Sequence, residues 1–442
     1  MRRKIDTLLA RWAESNNPRP LLLRGARRVG KTYTMTNLGR QKFDKAGYVI
    51  CDFQTNLEQL ERVFNDTSNV DRIMSDLSLL LRHDIRAGQT LVILDEIQLS
   101  EKALNCLRFF AESSYRVIAT GSQLGVTLRN RELPYPSGVD HVTMHPMDFE
   151  EYLWAMGEER MAEEIRSTYL EKREFLLHEE ALALYRLYIV MGGMPAVVAD
   201  FVENRNYQVV RSLQAEIDRV YTADVALYAP ADAVVRILAV WNSLPRQLAR
   251  ESTAKFKYSE VSKGGRERTY RTPLAWLEAA DLVKLNYQTN ETAAPLVARD
   301  DGSFYKVYLL DTGLMFSKLN LDADTFLVEN LRNSLSPRFR GALAENYVMQ
   351  ALAANELEPF YWTPGTSAQS EVEFVIQNRR GVIIPIEVKS GDNVRSISLR
   401  HYQQKTGAPY AIRLSTKNFG YENGIFSVPL YAAFCLDEQS LV

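Results

Sequence analysis

The side chains best placed to do chemistry in this 442-residue sequence lie in the loop from Gly25 to Thr32. The loop follows the pattern G-x-x-x-x-G-K-[ST], in which backbone N–H groups surround phosphate oxygens. A helix that begins at the loop would add the partial positive charge of its N-terminus. Lys31 is expected to neutralise the β- and γ-phosphates, and the hydroxyl of Thr32 to bind Mg²⁺. These residue types in this order predict a site for ATP and Mg²⁺.

Carboxylates that would complete such a site follow an apolar run further along the chain. Asp95 and Glu96 come directly after residues 90–94, a run typical of a buried parallel strand. Because phosphoryl transfer needs positioned charge and an oriented water, we predict that Asp95 binds Mg²⁺ and that Glu96 activates the attacking water for ATP hydrolysis. A third run, 115–119, leads to Ser122, which would sense the γ-phosphate or would belong to an ordinary turn. The predicted cofactor-binding residues are Gly25, Ala26, Arg27, Arg28, Val29, Gly30, Lys31, Thr32, Tyr33 and Ser122.

A second group of charged side chains occurs in the last quarter of the chain. Glu387 and Lys389 are two residues apart on a predicted strand and therefore share a face. Glu373 lies on the preceding strand of the predicted hairpin, and Glu345 lies on an amphipathic helix before it. Two acidic residues that hold Mg²⁺ beside a lysine that activates water would make a nuclease-type site. Alternatively, Glu371, Glu373, Glu387 and Lys389 would be cross-strand ion pairs on a solvated face.

Two sets of residues summarise these expectations. The predicted catalytic residues are Lys31, Glu96, Glu387 and Lys389. The predicted metal ligands are Thr32, Asp95, Glu345, Glu373 and Glu387. Both sets require elements that bring distant parts of the chain together.

The elements that must position these side chains follow an α/β pattern. Apolar runs at 47–52, 91–95 and 116–120 alternate with helical stretches, which predicts the doubly wound parallel sheet of a P-loop NTPase. Residues 150–229 are helical in pattern, with a break at the glycines and proline of 191–195. Three helix candidates followed by a strand come next, and this order indicates a winged helix.

The predicted winged-helix region carries a local excess of positive charge. A basic recognition element would contact DNA, but winged helices also bind proteins, and charged helix faces are often merely solvated. A nucleic acid and a protein partner therefore both remain open. The basic residues in this stretch are Arg246, Arg250, Lys255, Lys257, Lys263, Arg266, Arg268 and Arg271.

Several segments resemble the prokaryotic AAA-type P-loop ATPases that carry a C-terminal domain of unknown function. The similar segments are GARRVGKT (25–32), LDEIQ (94–98), ATGSQ (119–123) and HPMDFEEYL (145–153). The last quarter resembles the PD-(D/E)XK nuclease fold, although Glu373 stands where an aspartate is usual and its longer side chain would shift a bound metal. The domains expected on this basis are an AAA-type ATPase domain (1–155), a helical linker or lid (156–230), a winged-helix-like domain (231–330) and a restriction-endonuclease-like α/β domain (331–442).

Two main functions follow from these patterns. In the first, ATP binding and hydrolysis control access of DNA or another nucleic acid to the C-terminal site. In the second, ATP controls the binding of a partner while the C-terminal domain is catalytically inactive or purely structural. Arg129 and Arg131 are candidate arginine fingers if the protein forms a homo-oligomer.

Composition narrows the class of protein rather than its function. The formal net charge of −2 excludes a protein that is basic throughout and wraps nucleic acid. Cys51, Cys106 and Cys435 are far apart, which argues against a disulfide framework or a cysteine zinc site. The five histidines show no metal-ligand spacing. With no apolar run of membrane-spanning length, we expect a cytoplasmic protein that does not bind a membrane.

Overall fold

The computed structural model divides the chain into two compact units, which are described separately. The nucleotide unit comprises Arg2–His145 and Ala279–Asp281. The C-terminal unit comprises Met1, Pro146–Glu278 and Leu282–Val442. The residues that the structure describes are 1–16, 18–43, 47–65, 68–122, 124–130, 136–250, 255–299, 304–364, 371–391 and 396–441.

A five-stranded parallel sheet forms the centre of the nucleotide unit, in the order β2-β3-β4-β1-β5. Its strands are β1 (Leu21–Arg24), β2 (Tyr48–Asp52), β3 (Leu91–Asp95), β4 (Arg116–Gly121) and β5 (Asp140–Thr143). Strand β3 is buried along its whole length, as its unbroken apolar run predicts. The predicted parallel sheet is confirmed, and the sequence did not indicate the edge strand β5.

Helices cover this sheet, and three of them begin at side-chain caps. The helices are α1 (Ile5–Glu14), α2 (Lys31–Lys42), α3 (Phe53–Val63), α4 (Val70–Leu81), α5 (Glu101–Cys106) and α6 (Leu124–Asn130). Asp52, Asn69 and Ser100 accept hydrogen bonds from the first-turn N–H groups of α3, α4 and α5. Two short 3₁₀ segments, Ile97–Leu99 and Leu107–Glu112, follow β3 and α5.

The C-terminal unit contains an eight-stranded mixed sheet in the order β12-β13-β11-β10-β9-β8-β6-β7. Strands β9 and β10 pair in antiparallel register, which is the predicted hairpin. The strands are β6 (Val283–Thr289), β7 (Tyr305–Leu309), β8 (Phe360–Trp362), β9 (Val372–Gln377), β10 (Ile383–Val388), β11 (Ala411–Ser415), β12 (Gly420–Glu422) and β13 (Ile425–Pro429).

Helices make up most of the rest of this unit, including the region 150–229 predicted to be helical. They are α7 (Phe149–Ala155), α8 (Glu159–Glu171), α9 (His178–Met191), α10 (Pro195–Asn204), α11 (Tyr207–Tyr228), α12 (Val234–Arg250), α13 (Tyr258–Val261), α14 (Glu267–Ala279), α15 (Thr312–Lys318), α16 (Asp324–Leu327), α17 (Glu329–Ser334), α18 (Pro337–Ala354) and α19 (Ile397–Thr406). Leu296–Arg299 and Leu430–Cys435 are 3₁₀ segments.

The predicted winged-helix and nuclease-like regions share this sheet. Strand β6 pairs with β7 on one side and with β8 on the other, so main-chain hydrogen bonding continues across the expected boundary between residues 330 and 331. The three predicted helices before β6 are α12, α13 and α14. The four-domain division remains a prediction, since the structure keeps this whole region in one unit.

Asp311 holds the predicted break at residues 191–195. Its carboxylate accepts hydrogen bonds from the N–H of Gly193 at 2.6 Å and of Leu314 at 2.9 Å. A Cβ at Gly193 would lie 1.9 Å from the carbonyl oxygen of Met147, so the turn needs glycine there. Burial raises the pKa of Asp311 to about 6, and the backbone N–H groups limit that rise.

Replacing Asp311 by alanine should destabilise the C-terminal unit by about 2–4 kcal/mol, because two buried N–H groups would lose their acceptor. The change is measured as a fall in Tm. Glu163→Ala, which removes an exposed carboxylate on α8, is the control and should change stability by less than about 0.5 kcal/mol. Equal melting of Asp311→Ala and wild-type protein would show that Asp311 does not hold the turn.

Candidate functional site

The phosphate-binding loop lies between β1 and α2 and takes the backbone shape that its glycines permit. Gly25 and Gly30 have φ values of +141° and +100°, which side chains of L-residues rarely adopt. A Cβ at Gly25 would lie 2.2 Å from the carbonyl oxygen of Met144. Helix α2 begins at Lys31, so its free N–H groups face the loop. The local sequence therefore forms a concave backbone surface suited to phosphate.

Lys31 is buried inside this loop and is held by backbone carbonyls. Its Nζ donates to the oxygens of Gly25 at 2.8 Å and Ala26 at 2.9 Å. Burial lowers the pKa of Lys31 to about 8, and the nearby carboxylates of Glu96 and Asp95 limit the fall. A bound phosphate would offer its oxygens as alternative acceptors for these hydrogen bonds.

The other predicted cofactor-binding residues line or flank this loop. Ala26 and Val29 are buried and fix the loop from inside, whereas Arg28 and Tyr33 are exposed. Arg27 is half-buried, and Arg28 has φ +70°. The loop thus presents its backbone inward and its arginines toward its rim.

Asp95 and Thr32 meet below the loop in the arrangement that a Mg²⁺ site requires. The Thr32 hydroxyl donates to Asp95 Oδ2 at 2.8 Å. Asp95 Oδ1 is buried and has no hydrogen-bond partner, and burial raises the pKa of this carboxyl group. An oxygen atom in that position is costly unless a cation or donor reaches it. Hydroxyl and carboxylate oxygens are the ligands that Mg²⁺ prefers, so these residues fit the ion.

Glu96 is joined to the end of the neighbouring strand. Its Oε2 accepts hydrogen bonds from Ser122 Oγ at 2.9 Å and from Gln98 Nε2 at 2.5 Å. Because β3 and β4 are parallel neighbours, their carboxyl ends bring Glu96 and Ser122 together. Sequence reasoning had not assigned a role to Gln98, although it ends the LDEIQ segment two residues after Glu96.

Two further contacts to this loop could not be read from local patterns. Arg3 is buried, and its guanidinium donates to the carbonyl oxygens of Val29 at 2.9 Å and His145 at 2.8 Å. Asp281, which belongs to the nucleotide unit, lies 3.7 Å from Arg24 and favours the charged form of Lys31. Both contacts join residues far apart in sequence, so no spacing signals them.

The structure brings the predicted C-terminal residues together on one part of the mixed sheet. Lys389 Nζ lies 3.0 Å from Glu387 Oε1, and the N–H of Val388 donates to Glu373 Oε2 at 3.2 Å. Glu345 on α18 accepts a hydrogen bond from the hydroxyl of Tyr308 at 2.9 Å. Glu387 is almost completely buried, whereas Glu373 and Lys389 are half-buried, so the predicted ion pair forms on a face that solvent reaches only in part.

Lys306 is the charged residue that sequence reasoning missed. It is fully buried in β7, and its Nζ lies 2.7 Å from Glu371 Oε1 and 3.2 Å from Glu345 Oε2. Burial alone would lower the pKa of Lys306, but Glu345, Tyr308 and Glu371 raise it well above its ordinary value. A lysine inside an otherwise aromatic and aliphatic strand is the sequence feature that could have indicated a buried, paired charge at this position.

This arrangement bears directly on the predicted metal ligands Glu345, Glu373 and Glu387. Burial raises the pKa of Glu373 to about 8, so this carboxyl group tends to be neutral at pH 7. Lys306 already engages Glu345, and the part of the chain that the structure describes contains no three acidic, histidine or cysteine side chains placed to hold a metal. Among the carboxylate oxygens of Glu345, Glu373 and Glu387, only Glu387 Oε2 is buried without a hydrogen-bond partner. The cluster as it stands fits an internal ion-pair network better than a Mg²⁺ site.

The remaining predictions concern the basic stretch, the candidate arginine fingers and the absence of a membrane-spanning segment. In the basic stretch, Arg271 pairs with Glu267 of its own helix at 2.6 Å, and Arg246 donates to the carbonyl oxygen of Glu260. Arg131 and the side chain of Arg129 lie outside the described residues. Among the helices that the structure describes, none has both the length and the apolarity to cross a membrane.

Comparison with protein families agrees with the first site and leaves the second unassigned. Residues 17–153 match the AAA domain family, so the predicted resemblance to AAA-type P-loop ATPases is confirmed over that segment. Residues 182–325 and 340–433 match families described as Domain of unknown function (DUF8612) and Domain of unknown function (DUF4143). The resemblance to PD-(D/E)XK nucleases remains unconfirmed. No curated protein shows significant similarity to the chain.

Solved structures with some similarity include two archaeal proteins and one from an insect. The Orc1 protein of Aeropyrum pernix in complex with DNA has 16% identity and a TM-score of 0.32, covering 76% of this chain and 93% of that one. Cdc6p of Pyrobaculum aerophilum has 14% identity and a TM-score of 0.25, covering 75% and 93%. Drosophila ORC bound to DNA has 14% identity and a TM-score of 0.25, covering 63% and 86%. Similarity at this level carries no conclusion about ligands.

Affinity for Mg·ATP should fall as pH rises above about 8, because the free protein then loses the charge on Lys31. Because phosphate favours the protonated lysine, the affinity should fall by up to about tenfold for each pH unit. A tenfold fall corresponds to about 1.4 kcal/mol of binding free energy. Calorimetric titration between about pH 7 and pH 9.5 measures it. The control Lys31→Arg stays charged and should bind with little pH dependence. A flat wild-type profile would contradict the lowered pKa.

Replacing Lys306 by methionine should destabilise the C-terminal unit by about 3–5 kcal/mol, because Glu345 and Glu371 would lose their shared cation. Adding Glu371→Gln to this variant should restore part of the loss. Lys263→Met, which removes an exposed lysine, is the control and should leave Tm nearly unchanged. A fall in Tm that the second substitution does not reduce would show that lost packing, not charge, is responsible.

Proposed function

We propose that the protein binds Mg·ATP in its nucleotide unit and hydrolyses it. The observation that carries this proposal is the hydrogen bond from Thr32 to the buried Asp95, with the other carboxylate oxygen of Asp95 lacking a partner. Mg²⁺ held there would neutralise charge on the phosphates during transfer. Lys31 would exchange its two carbonyl acceptors for phosphate oxygens.

Glu96 is the residue that we assign to the attacking water. Its carboxylate lies at the carboxyl end of β3, and two hydrogen bonds from Gln98 and Ser122 fix its direction. A carboxylate so held would orient the water and accept its proton, as phosphoryl transfer requires. Ser122 connects this base to β4, so loss of the γ-phosphate would alter a contact that spans two strands.

We further propose that nucleotide state is relayed to the C-terminal unit, which engages nucleic acid. The residues Ala279–Asp281 belong to the nucleotide unit, and Asp281 acts electrostatically on Lys31. The chain then enters β6, whose sheet also contains β9 and β10. A phosphate that neutralises Lys31 would weaken the electrostatic attraction between Lys31 and Asp281. The resulting change at Asp281 would be transmitted along the backbone to β6 and its sheet.

The C-terminal cluster favours binding over cleavage. A hydrolytic metal site needs carboxylates free to coordinate, whereas Lys306 engages Glu345 and Glu371. The raised pKa of Glu373 removes a further negative charge near neutral pH. Of the two functions considered, an ATP-controlled switch with a catalytically inactive C-terminal domain therefore has the stronger support.

Purified protein should hydrolyse ATP with Mg²⁺, and Lys31→Ala should abolish the activity. Glu96→Gln should still bind ATP but hydrolyse it about 10²–10⁴-fold more slowly, as expected for loss of a general base. Lys42→Ala changes an exposed lysine near the end of α2 and should keep wild-type activity. Wild-type protein that neither binds nor hydrolyses ATP would refute the proposal.

The same preparations separate the switch from a nuclease. Supercoiled, linear and single-stranded DNA are incubated with Mg²⁺ or Mn²⁺ and analysed on gels. The switch predicts binding without new ends. Cleavage by wild-type protein that is lost in Glu387→Ala would instead assign nuclease activity to the cluster.

A further inference from the structure

A cavity of about 430 Å³ lies within the C-terminal unit, apart from the carboxylate–lysine cluster but next to it in the chain. Three arginines contribute to its lining: Arg186 from α9, Arg332 from α17 and Arg340 from α18. Leu182, Leu343 and Leu430 form buried apolar parts of the same wall. A cavity of this size is in the range that small organic ligands occupy.

The three guanidinium groups lie close enough to repel one another. All three arginines are half-buried. Burial lowers the pKa of Arg332, and the positive charges of Arg186 and Arg340 lower it further, with Glu329 acting against them. Converging cations are unfavourable when partly desolvated, unless an anion compensates for them.

The protein itself compensates for this charge only in part. Glu179 and Glu329 also line the cavity. Among the described residues, however, none of the three arginines has a carboxylate oxygen within ion-pair distance. Arg332 instead donates to the carbonyl oxygens of Phe326 and Leu327, and the Nε of Arg340 is buried without a hydrogen-bond partner.

The cavity borders the carboxylate–lysine cluster through the backbone. Ser390 and Gly391, which line it, directly follow Lys389. Ala344, which also lines it, directly precedes Glu345 on α18. The end of β10 and one turn of α18 thus carry residues of both features.

We propose that this cavity binds the phosphate group of a nucleoside monophosphate unit, at the end of a nucleic-acid strand or as a free nucleotide. Guanidinium groups match phosphate geometry and form paired charge-assisted hydrogen bonds with it. The volume accommodates roughly one nucleotide, not a duplex. This inference rests on the proposed engagement of nucleic acid and names the part of the strand that is recognised.

The test uses full-length protein carrying Lys31→Ala, so that the P-loop does not bind phosphate. A single-stranded DNA oligonucleotide labelled at its 3′ end is titrated by fluorescence anisotropy, with and without a 5′-phosphate. The phosphorylated strand should bind at least about tenfold more tightly, as expected for two or more charge-assisted hydrogen bonds. Unlabelled thymidine monophosphate and inorganic phosphate compete as separate arms.

Arginine variants then locate the site. Arg332→Gln and Arg340→Gln should each remove most of the preference for the 5′-phosphate, and Arg340→Lys should retain part of it. Arg236→Gln, which changes an arginine on α12 that does not line the cavity and has a 41% exposed side chain, is the matched control and should bind within about twofold of the parent protein. Tm is measured for every variant, so that a misfolded protein is not taken for a binding defect.

The outcomes distinguish this inference from the broader proposal. Oligonucleotide binding that ignores both the 5′-phosphate and the arginine substitutions overturns the cavity assignment and leaves nucleic-acid engagement intact. Arginine-dependent binding of thymidine monophosphate without oligonucleotide binding supports the phosphate site and refutes the strand as its source. Absence of binding by the strand, the nucleotide and inorganic phosphate overturns the inference, whereas failure of ATP hydrolysis in wild-type protein refutes only the nucleotide-unit proposal.

Discussion

The need to neutralise a fully buried lysine governs the C-terminal unit. Lys306 on β7 lies between Glu371, just before β9, and Glu345 on α18. These ion pairs connect the edge strand, the hairpin and the helix that packs near them. Burying charges costs more than such pairs usually return, and removal of one partner costs more still. The three segments therefore depend on one another.

Lys31 in the nucleotide unit is also a buried lysine, but it is not neutralised by a direct ion pair among the described residues. Its direct acceptors are backbone carbonyls, and burial lowers its pKa to about 8. Lys306 has its own carboxylates, which raise its pKa. Lys31 is thus available to bind an external anion, whereas the charge of Lys306 is already paired with carboxylates of the protein. This contrast explains why the nucleotide unit suits anion binding and why the cluster offers less to a metal cation.

The features that the sequence could predict are those encoded over short stretches. The P-loop, the buried strand before Asp95 and the β9–β10 hairpin depend on neighbours within a few residues. Arg3, by contrast, contacts the loop across a long stretch of chain, and no local pattern marks it. The strand β6 was predicted, but its pairing with β8 was not, because that pairing depends on a strand much later in the chain. Lys306 was missed for this reason as well, since its partners lie on α18 and before β9.

The arginine cavity and the carboxylate cluster are compatible only because the cluster is largely neutralised. A phosphate held by Arg332 and Arg340 would be repelled by a group of free carboxylates nearby. Lys306, which lies between Glu345 and Glu371, and Lys389, which pairs with Glu387, together offset two of these three negative charges. With its pKa raised to about 8, Glu373 adds little negative charge near neutral pH. Lys306 thus makes the cluster a poor metal site and also reduces its repulsion of an anionic strand. This favours a unit that holds nucleic acid over one that cuts it.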